Sequence, residues 1–398
     1  MLVVGNYLPS LSVVRSLVAA GHRVIVGDGG EYSPVRHSRH CHELWQHPPI
    51  RRGDDFLAAL NELLAGRPEI GIVLPLHSNY LECLARNHDR LPAMPVVAMP
   101  QTEVVLTCLD KDRMYAIARE VGVPHHPVER AHTRAELTAA SDRVGYPCVV
   151  RPARDTDERL PGDRKAVIWR DQPAMERDLQ AWPESHSVLL VQRYAPGLRH
   201  NVFFAARAGA IIGQVHTRIL HTDRADGTGL AVDGITIAPD PRLARSSAAL
   251  AERLGYTGVG FAQFLVPDEG EPHFLELNPR HAGSTAIAAH CGLDLALAAV
   301  ELATGTGAWQ VEAGFRYPVG RAYVWTSRDL YSLSMAVSRS EVGARRALAW
   351  LARSLGSAIR ADVHLTWSLR DPLPSLAVYA HLLTLGPWRR MRGGRPPI

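Results

Sequence analysis

Pro272-His273-Phe274-Leu275-Glu276-Leu277-Asn278-Pro279-Arg280-His281-Ala282-Gly283-Ser284 is the stretch from which the rest of this chain is read. Apolar and polar residues alternate up to Asn278 and stop at a proline, as in a strand whose alternate side chains share one face. Glu276 and Asn278 are two apart, so a carboxylate and an amide oxygen point the same way. Arg280, Gly283 and Ser284 follow in a turn. Upstream, Val259-Gly260-Phe261-Ala262-Gln263-Phe264-Leu265-Val266 reads as a second strand. The acidic link Pro267-Asp268-Glu269-Gly270-Glu271 predicts a hairpin between the two. Gln263 then lies beside Glu276 and Asn278. Three such oxygens, completed by phosphate, suit Mg²⁺, with Mn²⁺ as a substitute, because hard ions take carboxylate and carbonyl ligands. A polar strand end produces the same pattern without a metal, so the remaining chain has to decide.

At 398 residues the chain is long enough for two to three domains. Its 46% apolar and 21% charged residues are those of a folded protein. A net charge of +4 fits anionic small substrates and is too weak to argue for nucleic acid. The five cysteines, Cys41, Cys83, Cys108, Cys148 and Cys291, are scattered without a Cys-x-x-Cys pair, which points to reduced thiols and a cytoplasmic setting. The N-terminus lacks the features of a signal peptide. No apolar run reaches the roughly 20 residues needed to span a bilayer.

Residues 1–100 alternate between short apolar strands (Leu2-Val3-Val4, Arg23 to Asp28, Ile70 to Leu74, Val96 to Ala98) and amphipathic segments. That alternation predicts a small parallel sheet flanked by helices. The turn Gly5-Asn6-Tyr7-Leu8-Pro9-Ser10 invites comparison with a dinucleotide site, with Asp28 where a ribose-binding acid would stand. The Gly-x-Gly-x-x-Gly needed for backbone approach to pyrophosphate is missing, which argues against an NAD-dependent oxidoreductase. His37, His40, Cys41, His42 and His47 have metal-binding side chains, but their spacing matches no zinc pattern. Interleaved Arg36, Arg39 and Glu43 favour a solvated basic loop.

Chemistry begins at Asp110-Lys111-Asp112-Arg113, which opens a helix through Val121 that stops at Gly122 and Pro124. Acids suit a helix start; a lysine there is less expected. Gly145 to Pro152 is an apolar strand ending in Arg151, a cation that needs an anion when buried. A polar loop, Asp155 to Lys165, follows. Ser187 to Gly197 is a strand running into a proline-glycine turn, a hinge able to offer backbone groups to an adenine edge. Strands at Asn201–Ala206, Ala210–Ile219 and Gly234–Ala238 and a helix carrying Leu243, Leu250 and Leu254 lead into the opening hairpin.

Four features in this order resemble the ATP-grasp superfamily: the Lys111 helix; Tyr-Pro-x-Val-Val-Arg-Pro at 146–152; Val-Gln-x-Tyr-x-Pro-Gly at 191–197; and Gly-x-Gly-x-x-Gln at 258–263 followed by Leu-Glu-Leu-Asn-Pro-Arg at 275–280. The resemblance covers residues 100–305, and the leading lobe resembles the preATP-grasp domain. The nearest pattern is the branch containing carbamoyl-phosphate synthase and carboxylate–amine ligases. It implies an α+β/α/β fold: a Rossmann-like preATP-grasp lobe (1–100), a first ATP-grasp lobe (101–195), a second lobe with the metal site (196–310) and a small C-terminal extension (311–398). It further implies that Lys111 and Arg151 hold ATP phosphates, that Gln192, Arg193 and Tyr194 form the adenine hinge, and that Gln263, Glu276 and Asn278 hold Mg²⁺. Arg280 would stabilise the transferred phosphoryl group.

Two departures from the family bear on these roles. The loop after Arg151, usually glycine-rich, has one glycine and several acids, with Lys165 or Arg164 placed to compensate. His200 stands where a ribose-binding glutamate is common. The activity implied is ATP-dependent ligation of a small carboxylate to an amine or other nucleophile through an acyl phosphate. A nucleotide-binding regulatory protein of the same fold is the alternative. Arg218, His281, Ser284 and Thr285 are candidates for the acceptor pocket. A homodimer is a family expectation. The C-terminal run Trp388-Arg389-Arg390-Met391-Arg392 with Arg395 is expected to follow a helix packed on the body rather than to lie on an anionic membrane.

Overall fold

A computed structural model describes all residues except 7, 31–32, 158, 162–163 and 391–398. Buried aliphatic runs of three or four residues set up a parallel sheet first: β1 (Leu2–Val4), β2 (Ile25–Asp28), β3 (Glu43–Gln46), β4 (Ile72–Pro75) and β5 (Val96–Val97). They are ordered β3-β2-β1-β4-β5, as a Rossmann-like lobe requires. The segment expected to be a solvated loop around His37–His47 instead supplies β3, the sheet's edge. His42 Nδ1 accepts the Val24 N–H at 3.3 Å, and the His47 ring packs between Trp45 and Phe56. Apolar Leu44 and Trp45 pull this segment onto the sheet despite the surrounding arginines.

The next sheet is antiparallel, with strands β6 (Val128–Thr133), β7 (Cys148–Pro152), β8 (Val167–Trp169) and β9 (Ser185–Arg193) in the order β6-β9-β7-β8. The third contains β10 (Leu198–Arg207), β11 (Ala210–Thr222), β12 (Ala231–Thr236), β13 (Gly258–Val266), β14 (His273–Asn278), β15 (Ala322–Val324) and β16 (Val363–His364), in the order β14-β13-β10-β11-β12-β15-β16. A core shared by Met114 and Tyr115 of helix Lys111–Glu120, Leu190 of β9, and Phe264, Phe274 and Leu277 joins these two sheets. Burying aromatic side chains from separate segments in one cluster locks these lobes together.

The stretch after 310 is not an appendage. β15 and β16 complete the large sheet, and Leu365 enters its core. Asp371 accepts from Arg15 Nε at 3.0 Å and from Ser38 Oγ at 2.6 Å, tying the C-terminal segment to the parallel lobe. The expected boundary at 310 therefore cuts across a continuous sheet. No helix among the described residues is long and apolar enough to cross a membrane. Met391, Arg392 and Arg395 of the basic run lie outside the described residues.

Candidate functional site

The hairpin β13–β14 forms with Gln263 directly opposite Glu276 and Phe261 opposite Asn278. Gly260 permits this close pairing: a Cβ there would meet the Asn278 carbonyl oxygen at 2.8 Å and Tyr256 Oη at 2.7 Å. Asn278 Nδ2 donates to Glu276 Oε1 at 2.9 Å, and Gln263 Nε2 donates to Asn201 Oδ1 at 2.9 Å. Each amide thus commits an N–H to a neighbour and keeps its oxygen for a ligand on the face shared with Glu276, whose other oxygen lies 3.8 Å from Lys111. One carboxylate and two amide oxygens suit a hard divalent ion that draws its remaining ligands and charge balance from phosphate.

Cations approach this triad from three segments. Asp110 caps its helix by accepting the Asp112 and Arg113 N–H groups, and the Lys111 N–H donates to Ala153 O at 3.0 Å. These bonds hold Lys111 in the first turn, where the helix dipole disfavours a cation. Its ammonium is 2.6 Å from Asp155 and 3.8 Å from Glu276. Arg151, at the end of β7, reaches across to Tyr115 Oη and to Leu275 O at 3.2 Å. Burial pushes its guanidinium pKa down, against the pull of Glu276 and Asp155. Arg280 donates to Ser78 Oγ at 2.8 Å and lies over the Phe261 ring, with Asp155 at 3.6 Å.

Asp155 sits at the centre of this positive ring. Burial pushes its carboxyl upward, but the charges of Lys111, Lys165 and Arg280 outweigh that and hold it well below the usual carboxylate range. Burial brings Lys165 down to about 8. His77, which caps helix Ser78–Arg86, is pushed down to about 3 by burial and then by the charge of Arg280. A cavity of about 310 Å³ opens beside Arg280 and His281, between the parallel lobe and the start of β13.

The hinge candidates lie where β9 ends. Gln192 is buried and Arg193 exposed, and the Tyr194 N–H is taken by Pro147 O at 2.9 Å. His200 and Arg218 do not join the triad. Asn201 pairs with Gln263, so its neighbour His200, opposite Phe264 and Arg218, points to the other face of the sheet. There His200 lies near Asp240 and Arg242 and is pushed down to about 4 by burial. His281 is buried against the start of helix Leu295–Thr304, where it bonds the Leu295 backbone. Ser284 is buried beside Tyr323. Asp155, Asn201 and His77 were not singled out from sequence. Asn201 alone carried a local signal, a polar residue opening an apolar strand.

Residues 189–323 match a family described as "ATP-grasp in the biosynthetic pathway with Ter operon". That third of the chain, which holds the β13–β14 hairpin, is similar to an ATP-grasp domain. Over 191 residues it is 28% identical to the carbamoyl phosphate synthase arginine-specific large chain of Halalkalibacterium halodurans, covering 45% of this chain and 17% of that one. The chain thus spans under a fifth of that relative's length. Among solved structures, Campylobacter jejuni biotin carboxylase superposes with a TM-score of 0.62 at 15% identity, covering 81% of this chain and 74% of its own. An N5-carboxyaminoimidazole ribonucleotide synthetase in its ADP complex gives 0.60 at 14% identity, covering 80% and 77%. At these identities the structural likeness concerns the fold alone.

Proposed function

We propose that this protein is an ATP-dependent ligase that activates a small carboxylate and joins it to an amine or a comparable nucleophile. The observation that carries this reading is the cluster of cations around the hairpin: Lys111 lies 3.8 Å from Glu276 and shares Asp155 with Arg280, and Arg151, bonded to Leu275 O, feels the charges of Glu276 and Asp155. Lys111 and Arg151 hold the β- and γ-phosphates, with Lys165 joining them from the loop. Gln192, Arg193 and Tyr194 border the adenine. Gln263, Glu276 and Asn278 would hold Mg²⁺, which when bound would supply neutralisation of phosphate charge.

A carboxylate oxygen of the substrate attacks the γ-phosphorus, the bond to the β–γ bridging oxygen breaks, and ADP leaves. The amine then attacks the acyl carbon, and phosphate departs with the electron pair of the C–O bond while the amine gives up a proton to solvent. Phosphoryl transfer asks a protein chiefly for positioning and electrostatic stabilisation. Arg280 supplies the latter next to the transferred group, and packing over Phe261 limits its rotation.

The test is ADP release from MgATP across a panel of carboxylic acids crossed with amines. The expected result is turnover that needs one acid together with one amine and is nearly silenced in Glu276→Ala. ADP release indifferent to every acid, or unaffected by Glu276→Ala, overturns the reading. A nucleotide-binding protein without turnover is the second reading. Asp155 favours it by placing a carboxylate among the phosphate-binding cations. Saturable MgATP binding with no turnover in any acid–amine pair would select it.

A further inference from the structure

Arg199 opens the strand that carries Asn201, two residues away on the same face of the large sheet, and lies opposite Leu265 as Asn201 lies opposite Gln263. It therefore shares the floor on which the Gln263–Glu276–Asn278 oxygens stand. Among the described residues its guanidinium makes one hydrogen bond, from Nη2 to Gly229 O at 3.0 Å, and has no carboxylate within ion-pair distance. The acids around it are Glu276, Asp223 and Asp226, and each is engaged elsewhere. Asp223 is held by Arg328 at 2.7 Å, Asp226 by Thr228, and Glu276 by Asn278 and Lys111. A guanidinium drawn this far into the protein without an anion carries an uncompensated desolvation cost.

A second buried donor lies farther along the same face. β11 carries the row on through Ile219, which pairs with Gly234, and Gly234 pairs with Tyr323. Because residue 234 is glycine, the Tyr323 ring lies over the backbone there; a Cβ at 234 would sit 2.5 Å from Tyr323 Oη. That phenol is fully buried, with the Ser284 hydroxyl as its polar neighbour. Guanidinium N–H groups can only donate, and a phenol hydroxyl can donate as well, so the complementary group is an acceptor-rich anion.

We propose that Arg199, with Tyr323 beyond it, forms the subsite for a carboxylate of the acceptor substrate, next to the triad assigned above to the metal. The free Nε and Nη1 edge of Arg199 matches a carboxylate bidentately. The carbonyl of Gly229 fixes the remaining Nη2, so the loop between β11 and β12 orients the fork. This subsite rests on the ligase reading, because it supplies the acid that reading requires. It is distinct from the phosphate cations: Lys111 and Arg151 come from the first lobe, while Arg199 and Tyr323 belong to the floor of the second.

The test is isothermal titration of protein preloaded with MgADP, using sodium acetate, bicarbonate, succinate and glutamate as separate probes. At least one is expected to bind wild type. Arg199→Gln should weaken that probe tenfold or more while leaving MgADP affinity within twofold, with Arg199→Lys intermediate. Tyr323→Phe, which keeps the ring in place, should weaken it several-fold. Equal loss of probe and MgADP in Arg199→Gln would make Arg199 a nucleotide contact and overturn the proposal. Unchanged probe affinity in Arg199→Gln, or no probe binding to MgADP-loaded wild type, would overturn it too. Probe binding without turnover in any acid–amine pair would sink the ligase reading and leave the subsite standing.

Discussion

Replacing Asp155 by asparagine separates two effects of its carboxylate, holding the nucleotide-free protein together and competing with phosphate. The side chains concerned are little exposed: 7% for Lys111, 18% for Asp155 and 11% for Arg280. At an effective dielectric near 20, charges 2.6 and 3.6 Å apart attract by roughly 6 and 5 kcal/mol before desolvation is counted. Desolvation offsets much of that, but removing one partner of a buried pair still costs about 3–5 kcal/mol because the other charges are left uncompensated. Without nucleotide, Asp155→Asn should therefore melt about 4–6 °C lower than wild type. With MgATP the phosphates take over the neutralising role, and they no longer have to displace a carboxylate. If that displacement costs even about 1.4–3 kcal/mol, the variant binds MgATP roughly 10–100-fold more tightly. Thermal melts with and without MgATP, together with a direct titration, measure both quantities. Weaker MgATP binding in the variant, or an unchanged apo melting temperature, would refute the reasoning: Asp155 would then assist the phosphates or be electrostatically idle.

Glu276→Gln keeps the bulk of the side chain and removes the only charge of the triad. It should lower turnover by about 10²–10³ and raise the Mg²⁺ concentration needed for half-maximal rate, and a rate within twofold of wild type would count against the metal assignment. Lys165 loses its proton near pH 8 in the free protein because burial disfavours the ammonium, so the KM for ATP should rise as pH passes upward through 8. Lys165→Arg should flatten that rise; a KM flat from pH 7 to 9 in wild type would exclude Lys165 from phosphate binding. His126, His200, His216 and His281 are each pushed down to about 4 by burial, whereas unfolded histidines titrate near 6.5. Their contribution is complete above about pH 6.5 and drains away as pH falls toward 4, since the unfolded chain takes up the protons first. The urea midpoint should fall steadily from pH 7 to pH 5, and a constant midpoint over that range would contradict the burial of these rings.

What could be read from sequence was what depends on near neighbours along the chain. Gln263, Glu276 and Asn278 belong to one hairpin, so alternation and a short acidic turn suffice to place them side by side. Lys111 and Arg151 were legible because each ends or begins an element with a strong local signature. His200 and Arg218 defeated the same reasoning. A one-residue change of parity moves a side chain to the opposite face, and the parity of β10 is fixed by its pairing with β13, some sixty residues away. Asp155 reads in sequence as one acid in a polar loop; only the arrival of Lys111 and Arg280 from other segments makes it the ionised centre of the site. Arg199 likewise owes its unmet charge to neighbours brought in by β12, β15 and the loop at Gly229. Local alternation specifies which side chains a strand can present. Which of them face one another, and which charges remain unpaired, is decided by long-range packing, because desolvation and ion pairing depend on every segment that closes over a group.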